Sequence, residues 1–229
     1  MEKVPIVITK FANEIKQKDI STFRTALLDY LLLKGCKLNN YSKKASDSLY
    51  SYPFIQFKKI KNKAALFAVA KGTENILNFL TASDFECFFR ESNEKIVIES
   101  VKEERYNIRT GEHFYSYSLR HYLPFNIDAK ERYDQIIHQA NKKLYMEKQL
   151  LVNIKNFAKS IDAELDDKIT VTIDSITDTG VKFYKRMPYD SFDIFFKANI
   201  SIPNYTGLGK IVSHGFGSVV RIDDKEIES

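Results

Sequence analysis

The chain has 229 residues, 44% of them hydrophobic and 13% aromatic, which excludes a disordered chain and allows one domain or two small ones. Its formal net charge of +5 and pI near 8.9 favour an anionic partner, although an ordinary basic protein has the same balance. Cys36 and Cys87 stand far apart without nearby paired histidines, which argues against a structural zinc site.

The first part of the chain carries strand and helix patterns in a recognisable order. β-Branched and alternating apolar runs predict strands at 4–9, 54–60 and 64–70, and a strand or strand pair at 94–108. A helix is predicted behind an N-cap at Ser21, ending at Gly35, and a second from Gly72 to about Ser83. The resulting βαββαβ order predicts a ferredoxin-like domain over residues 1–110.

The remainder, 111–229, is predicted to form a second domain of the same class. A capping box of Asp128 and Glu131 predicts the start of one long helix. Its buried face is expected to carry Ile137, Ala140, Leu144, Leu151, Ile154, Ala158 and Ile161. Strands are predicted at 113–123, 168–176, 181–186, 192–200 and 218–222. We therefore expect an α+β protein of two tandem ferredoxin-like halves with antiparallel sheets and a C-terminal glycine-rich loop.

No segment predicts export or membrane insertion. The apolar run at 4–9 is interrupted by Lys10, and the run at 26–35 is too short and too interrupted to span a bilayer. We expect a cytoplasmic protein with free thiols and no membrane partner.

Half of the glycines fall in one short segment. Of eight glycines, four lie within residues 207–217: Gly207, Gly209, Gly215 and Gly217. The segment is not a phosphate-binding P-loop, because Asn204 stands at the first glycine position and Ile211 at the Ser/Thr position. The dinucleotide fingerprint also fails, because Val212 stands at its third glycine position.

Two interpretations of this segment remain open. It is either a plain glycine-rich bend between two strands or a loop whose backbone N–H groups approach an anion closely. Lys210, Ser213 and His214 add side-chain donors to the second interpretation. Such a loop suits an RNA phosphate backbone.

The run "FDIFFKANISIPNYTGLGKIVSHGFGSVVR" (192–221) resembles the end of the CRISPR repeat-processing endoribonucleases. The segments at 19–27, 52–76 and 150–162 resemble the same family, so the likeness spans most of the chain. The resemblance implies metal-independent cleavage of a precursor CRISPR RNA within its repeat, without a cofactor. In that reaction a ribose 2′-OH attacks the adjacent phosphate and leaves a 2′,3′-cyclic phosphate and a 5′-OH.

One departure from the family pattern concerns catalysis. Related sequences commonly carry a His-Asn-His motif after the first helix, and the matching positions here are Asn39, Asn40 and Tyr41. The resemblance leaves Tyr41 and His214 as candidate proton-transfer groups and Lys43 as a candidate stabiliser of the oxyanion. For His214, phosphate contact without proton transfer is the alternative.

The expected RNA-binding residues come from the same resemblance and from lysines that lie beside aromatic residues. They are Arg24, Lys44, Lys58, Gly207, Gly209, Lys210, Ser213, Gly215 and Gly217. Solvated strand edges are the ordinary explanation of such lysines.

Three functions follow as candidates. The first is a repeat-specific endoribonuclease, with CRISPR repeat RNA as its partner. The second is a non-cleaving subunit that binds the repeat or the guide RNA, and the third is an unrelated α+β RNA-binding or scaffold protein. CRISPR effector subunits and a second copy of the chain are further candidate partners.

Overall fold

The computed structural model describes residues 3–35, 52–80, 85–163, 165 and 168–222. The chain divides into two compact units. One comprises Glu2–Tyr106 together with Ser213–Gly215, and the other comprises Asn107–Val212 together with the residues from Phe216 onward. The division of domains at 110/111 stays a prediction.

The first unit is a four-stranded antiparallel sheet with two main helices. Its strands are β1 (Val4–Glu14), β2 (Ile55–Ile60), β3 (Lys63–Val69) and β6 (Ile98–Tyr106), and its helices are α1 (Ile20–Leu33) and α2 (Gly72–Leu80). A small hairpin, β4 (Cys87–Phe88) and β5 (Lys95–Ile96), precedes β6. The sheet order β2-β3-β1-β6 is that of a ferredoxin-like fold, which confirms the predicted βαββαβ order.

An aromatic core holds α1 against this sheet. The ring of Phe23 lies 5.0 Å from that of Phe11 and 5.7 Å from that of Phe57, both edge-to-face. Apolar residues of α1 recur at three- and four-residue spacing, so one side of the helix is buried. The predicted cap at Ser21 is wrong by two positions: Asp19 precedes the first helical residue, because a 3-10 turn (Gln17–Asp19) runs directly into α1.

The second unit repeats the strand order without its second helix. Its strands are β7 (Thr110–Tyr122), β8 (Val171–Tyr184), β9 (Met187–Ile200) and β10 (Ser218–Ile222), and its helices are α3 (Ile127–Asp134) and α4 (Gln139–Ser160). The antiparallel order β10-β7-β9-β8 matches that of the first sheet. The glycine segment follows β9, at the place in the order that α2 has in the first unit. The predicted fold class is therefore confirmed.

The single long helix expected in this unit is instead two helices. The side chain of Asn126, not a capping box at Asp128, caps α3 by accepting a 2.9 Å hydrogen bond from the backbone N–H of Ala129. The chain then leaves helical geometry before α4, and Ile137 is 88% exposed in this break. The buried face of α4 is Met146, Leu150, Ile154, Phe157 and Ala158, whereas Leu144 faces solvent.

None of the helices in the described ranges is long and apolar enough to cross a bilayer.

Candidate functional site

The flanks of the glycine segment, residues 207–217, fold back on each other within the second unit. Gly207 forms an isolated antiparallel bridge with Ser218, and the N–H of Leu208 donates a 2.8 Å hydrogen bond to the carbonyl of Gly217. The N–H of Lys210 donates to the carbonyl of Leu123 at 2.9 Å, directly after β7. The segment is thus fixed by the protein's own backbone at both ends.

Two of these glycines are required by this folding. Gly209 has φ +95°, and a Cβ there would lie 2.7 Å from the carbonyl oxygen of Leu123 and 2.8 Å from the Tyr122 ring. Gly217 has φ +62°, and a Cβ there would overlap the carbonyl oxygen of Leu208. Positive φ and the lack of space explain glycine at both positions without RNA. RNA contact by these residues stays a prediction.

The middle of the segment, Ser213–Gly215, belongs to the first unit. Gly215 has φ +86°, and a Cβ there would overlap the Ile20 side chain and lie 3.3 Å from the carbonyl oxygen of Phe57. The side-chain amide of Gln17 donates a 3.3 Å hydrogen bond to the Gly215 carbonyl. These contacts place the triplet at the start of α1 and beside β2, which is an edge strand of its sheet.

His214 ends a short 3-10 turn, Val212–His214. Its ring Nδ1 lies 3.0 Å from the hydroxyl oxygen of Ser213, so the two side chains orient each other. Both residues are partly exposed. A hydroxyl and an imidazole held this way can donate to phosphate oxygens, and an imidazole can also transfer a proton.

Arg24 lies on α1, one turn beyond Ile20. Its guanidinium carbon is 5.8 Å from the centre of the Phe57 ring, a cation–π distance. The Phe57 backbone is the same one that Gly215 approaches. Arg24 and the triplet therefore both adjoin Phe57.

Lys58 is the most unusual charged residue of the described chain. It is 1% exposed and, among the described residues, its ammonium nitrogen has no hydrogen-bond partner. Desolvation lowers the pKa of Lys58 from 10.5 to about 7. In the register of β2 with β3, Lys58 pairs with Ala65 and Phe57 with the core residue Leu66. Lys58 therefore points to the face of the sheet away from the helical core.

Gln56 lies two positions before Lys58 and so points to the same face. Its side-chain nitrogen donates to the Tyr52 hydroxyl at 2.7 Å and to the Pro53 carbonyl at 3.1 Å. Its side-chain oxygen is buried and has no partner among the described residues. One face of β2 thus carries a buried donor and a buried acceptor, neither satisfied within the described chain. Uncompensated burial of this kind is costly and is typical of functional sites.

Three other lysines of the strands and their turns have partners within the protein. Lys59 donates to the side-chain oxygen of Asn62 at 3.2 Å, and Lys63 forms a 2.6 Å ion pair with Glu99. Lys182 donates to the carbonyl of Thr179 at 3.1 Å. For these three residues the ordinary explanation of a solvated strand edge is sufficient.

The predicted site residues fall into three groups. Arg24, Lys58, Ser213, His214 and Gly215 lie in the first unit, and Gly207, Gly209, Lys210 and Gly217 lie in the second. Tyr41, Lys43 and Lys44 lie outside the described residues. No group of three or more His, Cys, Asp or Glu side chains in the described part of the chain could hold a metal ion.

Sequence reasoning missed Gln17, which carries no motif. It also missed a link in the second unit, where the Asn153 side chain donates a 2.6 Å hydrogen bond to the Tyr122 hydroxyl beneath Gly209. Burial raises the pKa of Tyr122, so its hydroxyl keeps its proton. Neither residue type signals such a role without the fold.

Known proteins resemble this chain in sequence and in fold. An uncharacterised protein of Methanocaldococcus jannaschii is 36% identical over 88 residues, 38% of this chain. The match covers 59% of that relative, less than two thirds of its length.

A solved Cas6b structure superposes with a TM-score of 0.79 at 21% identity, covering 96% of this chain and all of the other. A CRISPR RNA processing endoribonuclease Cas6b superposes with a TM-score of 0.72 at 22% identity, covering 97% and 100%. These likenesses show the fold. The family model of the Cas6b N-terminal domain matches residues 2–107, and that of the Cas6b C-terminal domain matches residues 109–222. The chain therefore belongs to the Cas6b family.

Proposed function

We propose that this chain is a metal-independent endoribonuclease that binds CRISPR repeat RNA in precursor transcripts and cleaves it to release guide RNAs in the cytoplasm. Its family and its fold support this function, since a Cas6b of the same fold is described as a CRISPR RNA processing endoribonuclease.

The observation that carries the proposal is the position of the triplet 213–215. Gln17 and Ile20 hold it against the start of α1, and Phe57 brings Arg24 to the same place. Ser213 and His214 are partly exposed there. This part of the first unit thus carries a guanidinium, a hydroxyl and an imidazole, groups that suit the phosphates of an RNA backbone.

The reaction needs no group beyond the chain and the RNA. A base removes the proton of the ribose 2′-OH, and the 2′-oxygen forms a bond to phosphorus while the bond to the 5′-oxygen breaks. An acid then protonates the leaving 5′-oxygen, and cationic donors stabilise the charge on the phosphoryl oxygens. We assign proton transfer to Tyr41 and His214, and oxyanion stabilisation to Lys43. Arg24 and Lys210 bind flanking phosphates, together with Lys44, Lys58, Ser213 and the backbone of the four glycines.

A second candidate is a subunit that binds the repeat or the guide RNA without cutting it. The replacement of the family's His-Asn-His by Asn39, Asn40 and Tyr41 favours it, because the usual proton-transfer groups are absent from those positions. CRISPR effector subunits and a second copy of the chain are the further partners that either function would involve.

The deciding experiment incubates the purified chain with its cognate repeat RNA in EDTA, beside RNA with a 2′-deoxy group at the scissile nucleotide. We expect cleavage of the first RNA only, with cyclic phosphate and 5′-OH ends. Tight, repeat-specific binding without cleavage would establish the second candidate. Equal binding of repeat and shuffled RNA, without cleavage, would overturn both.

A further inference from the structure

Most of the net positive charge of the protein is concentrated in helix α4. Its 22 residues contain five lysines and one glutamate, a net charge of +4, whereas the whole chain has a net charge of +5. Helix α3 beside it has two basic and three acidic residues. The charge of α4 is therefore a local feature of the molecule.

Three of these lysines form a line along the exposed side of α4. Lys148, Lys155 and Lys159 are spaced by seven and four residues, so they fall within about 40° around the helix axis. All three are exposed, and they span about 16 Å along the axis. We call these three residues the α4 lysine row.

Within the part of the chain that the structure describes, none of the three takes part in an ion pair. The one acidic side chain of α4, Glu147, accepts a 2.9 Å hydrogen bond from the N–H of Ile173. Lys155 and Lys159 are four residues apart, where like charges destabilise a helix. A favourable interaction with the helix dipole accounts for Lys159 alone, because only it lies in the last turn.

Contacts within the second unit join α4 to the glycine segment. Asn153 lies between Lys148 and Lys155 in sequence, and its side chain donates to the hydroxyl of Tyr122. The Tyr122 ring lies directly against Gly209, and the neighbouring Lys210 is bound through its backbone to Leu123. Asn153 lies about 140–160° around the helix axis from Lys148 and Lys155, so the row faces solvent on the side of α4 away from these contacts.

We propose that the α4 lysine row binds phosphates of the repeat RNA, as a second contact surface separate from the glycine segment. This inference rests on the proposed function. Exposed lysines in a line, without an ion pair among the described residues, are complementary to a chain of negative charges, and their binding energy comes from the release of counterions. An acidic protein is the competing partner, and the experiment includes it.

The test compares two triple variants with the same loss of charge. One is Lys148→Gln/Lys155→Gln/Lys159→Gln, and the other is Lys143→Gln/Lys168→Gln/Lys197→Gln, which removes three exposed lysines of the same unit from other positions. Glutamine keeps helix propensity, and thermal unfolding verifies that both variants fold. Fluorescence anisotropy measures the Kd for repeat RNA between 50 and about 300 mM salt, and single-turnover assays measure cleavage.

We expect the row variant to bind repeat RNA at least tenfold more weakly at about 150 mM salt. We also expect its slope of log Kd against log salt to fall by about 2, because each lost phosphate contact removes about 0.7 to 0.9. The control variant should change the Kd less than about threefold at the same slope.

Equal Kd values and slopes for the two variants would overturn the proposal. Binding of polyglutamate that is lost with the row, while RNA binding is kept, would overturn it in favour of an acidic protein. Equal binding of repeat and shuffled RNA by the wild-type chain would instead contradict the proposed function itself. The repeat RNA would then no longer be the ligand of the α4 lysine row.

Discussion

The side-chain amide of Gln17 donates a 3.3 Å hydrogen bond to the carbonyl oxygen of Gly215, 198 positions further along the chain. It joins the turn before α1 to the centre of the glycine segment. The site proposed for RNA is therefore assembled from distant parts of the sequence, and its geometry depends on Gly215.

Gly215→Ala should damage both stability and function. The residue has φ +86°, and the new methyl group would overlap Ile20, so we expect a loss of about 2–4 kcal/mol in the free energy of unfolding. Repeat RNA cleavage should fall at least tenfold at a temperature where the variant is folded. Urea unfolding and single-turnover cleavage measure the two effects.

Gly180→Ala is the matched control, because Gly180 has φ +78° with nothing within 4 Å of the added Cβ. The substitution introduces the strain of a positive φ without a steric overlap. We therefore expect a loss of about 1 kcal/mol in the free energy of unfolding and unchanged cleavage. Equal effects of the two substitutions would show that the packing of Gly215 on Ile20 is unimportant.

Replacement of Lys58 by methionine should stabilise the protein and weaken its binding of RNA. The folded-state pKa of Lys58, about 7, lies below its unfolded value of 10.5. The unfolded state thus binds more protons between these values, and wild-type stability should rise with pH across that window. Below pH 7 the full cost of burying the charged amine is present, and its removal should raise the free energy of unfolding by about 3–5 kcal/mol.

Urea unfolding of both proteins at pH 6 to 10 checks this, with Lys59→Met as the control on the adjacent exposed position. The gain from Lys58→Met should shrink as the pH rises, and Lys59→Met should show neither the gain nor its pH dependence. A pH-independent gain would mean that packing, not the buried charge, destabilises the wild type. Unchanged RNA affinity in Lys58→Met would show that Lys58 does not contribute to RNA binding.

Asn126→Ala should cost more stability than Asp128→Ala. The Asn126 side chain accepts the hydrogen bond that caps α3, so its loss should cost about 1 kcal/mol. The Asp128 side chain lies in the first turn, where its interaction with the helix dipole contributes about 0.3–1 kcal/mol. Thermal unfolding ranks the stabilities of the two variants. The reverse order would support the capping box predicted at Asp128.

Substitutions of Tyr41 and His214 should separate proton transfer from phosphate binding. We expect Tyr41→Phe and His214→Asn each to slow single-turnover cleavage by about 10²–10⁴-fold while the Kd for repeat RNA stays within about twofold. Tyr184→Phe, on a hairpin of the second unit, is the control. A higher Kd with an unchanged rate for His214→Asn would make His214 a phosphate ligand without a role in proton transfer.

The fold was predictable because its signals are local and repeated. Alternating apolar residues define the strands, and the spacing of Phe23, Leu27 and Leu31 defines α1, so the strand–helix order led directly to the ferredoxin-like class. The break in the long helix predicted from Asp128 was not predictable this way. Ile137 continues the apolar pattern of α4, but the chain leaves helical geometry before it and exposes the side chain.

The site was predictable only in part, because its defining properties are not local. In the sequence Lys58 is followed by Lys59, a pattern typical of a solvated strand edge. Only the three-dimensional structure shows that Lys58 is buried. The clustering of glycines was visible in sequence. However, the partners that require glycine at 209, 215 and 217 are residues far away, such as Leu123 and Ile20, or a backbone that folds back on itself.

The triplet Ser213–Gly215 lies in the second half of the sequence but belongs to the first unit of the structure. A hybrid protein that joins the halves of two relatives at residue 107 would bring a foreign triplet to the Gln17 and Ile20 of its host. Such exchanges should succeed only when the triplet is taken from the same parent as the N-terminal half. Halves of different relatives are therefore not freely exchangeable, because these three residues must match the N-terminal half that they contact.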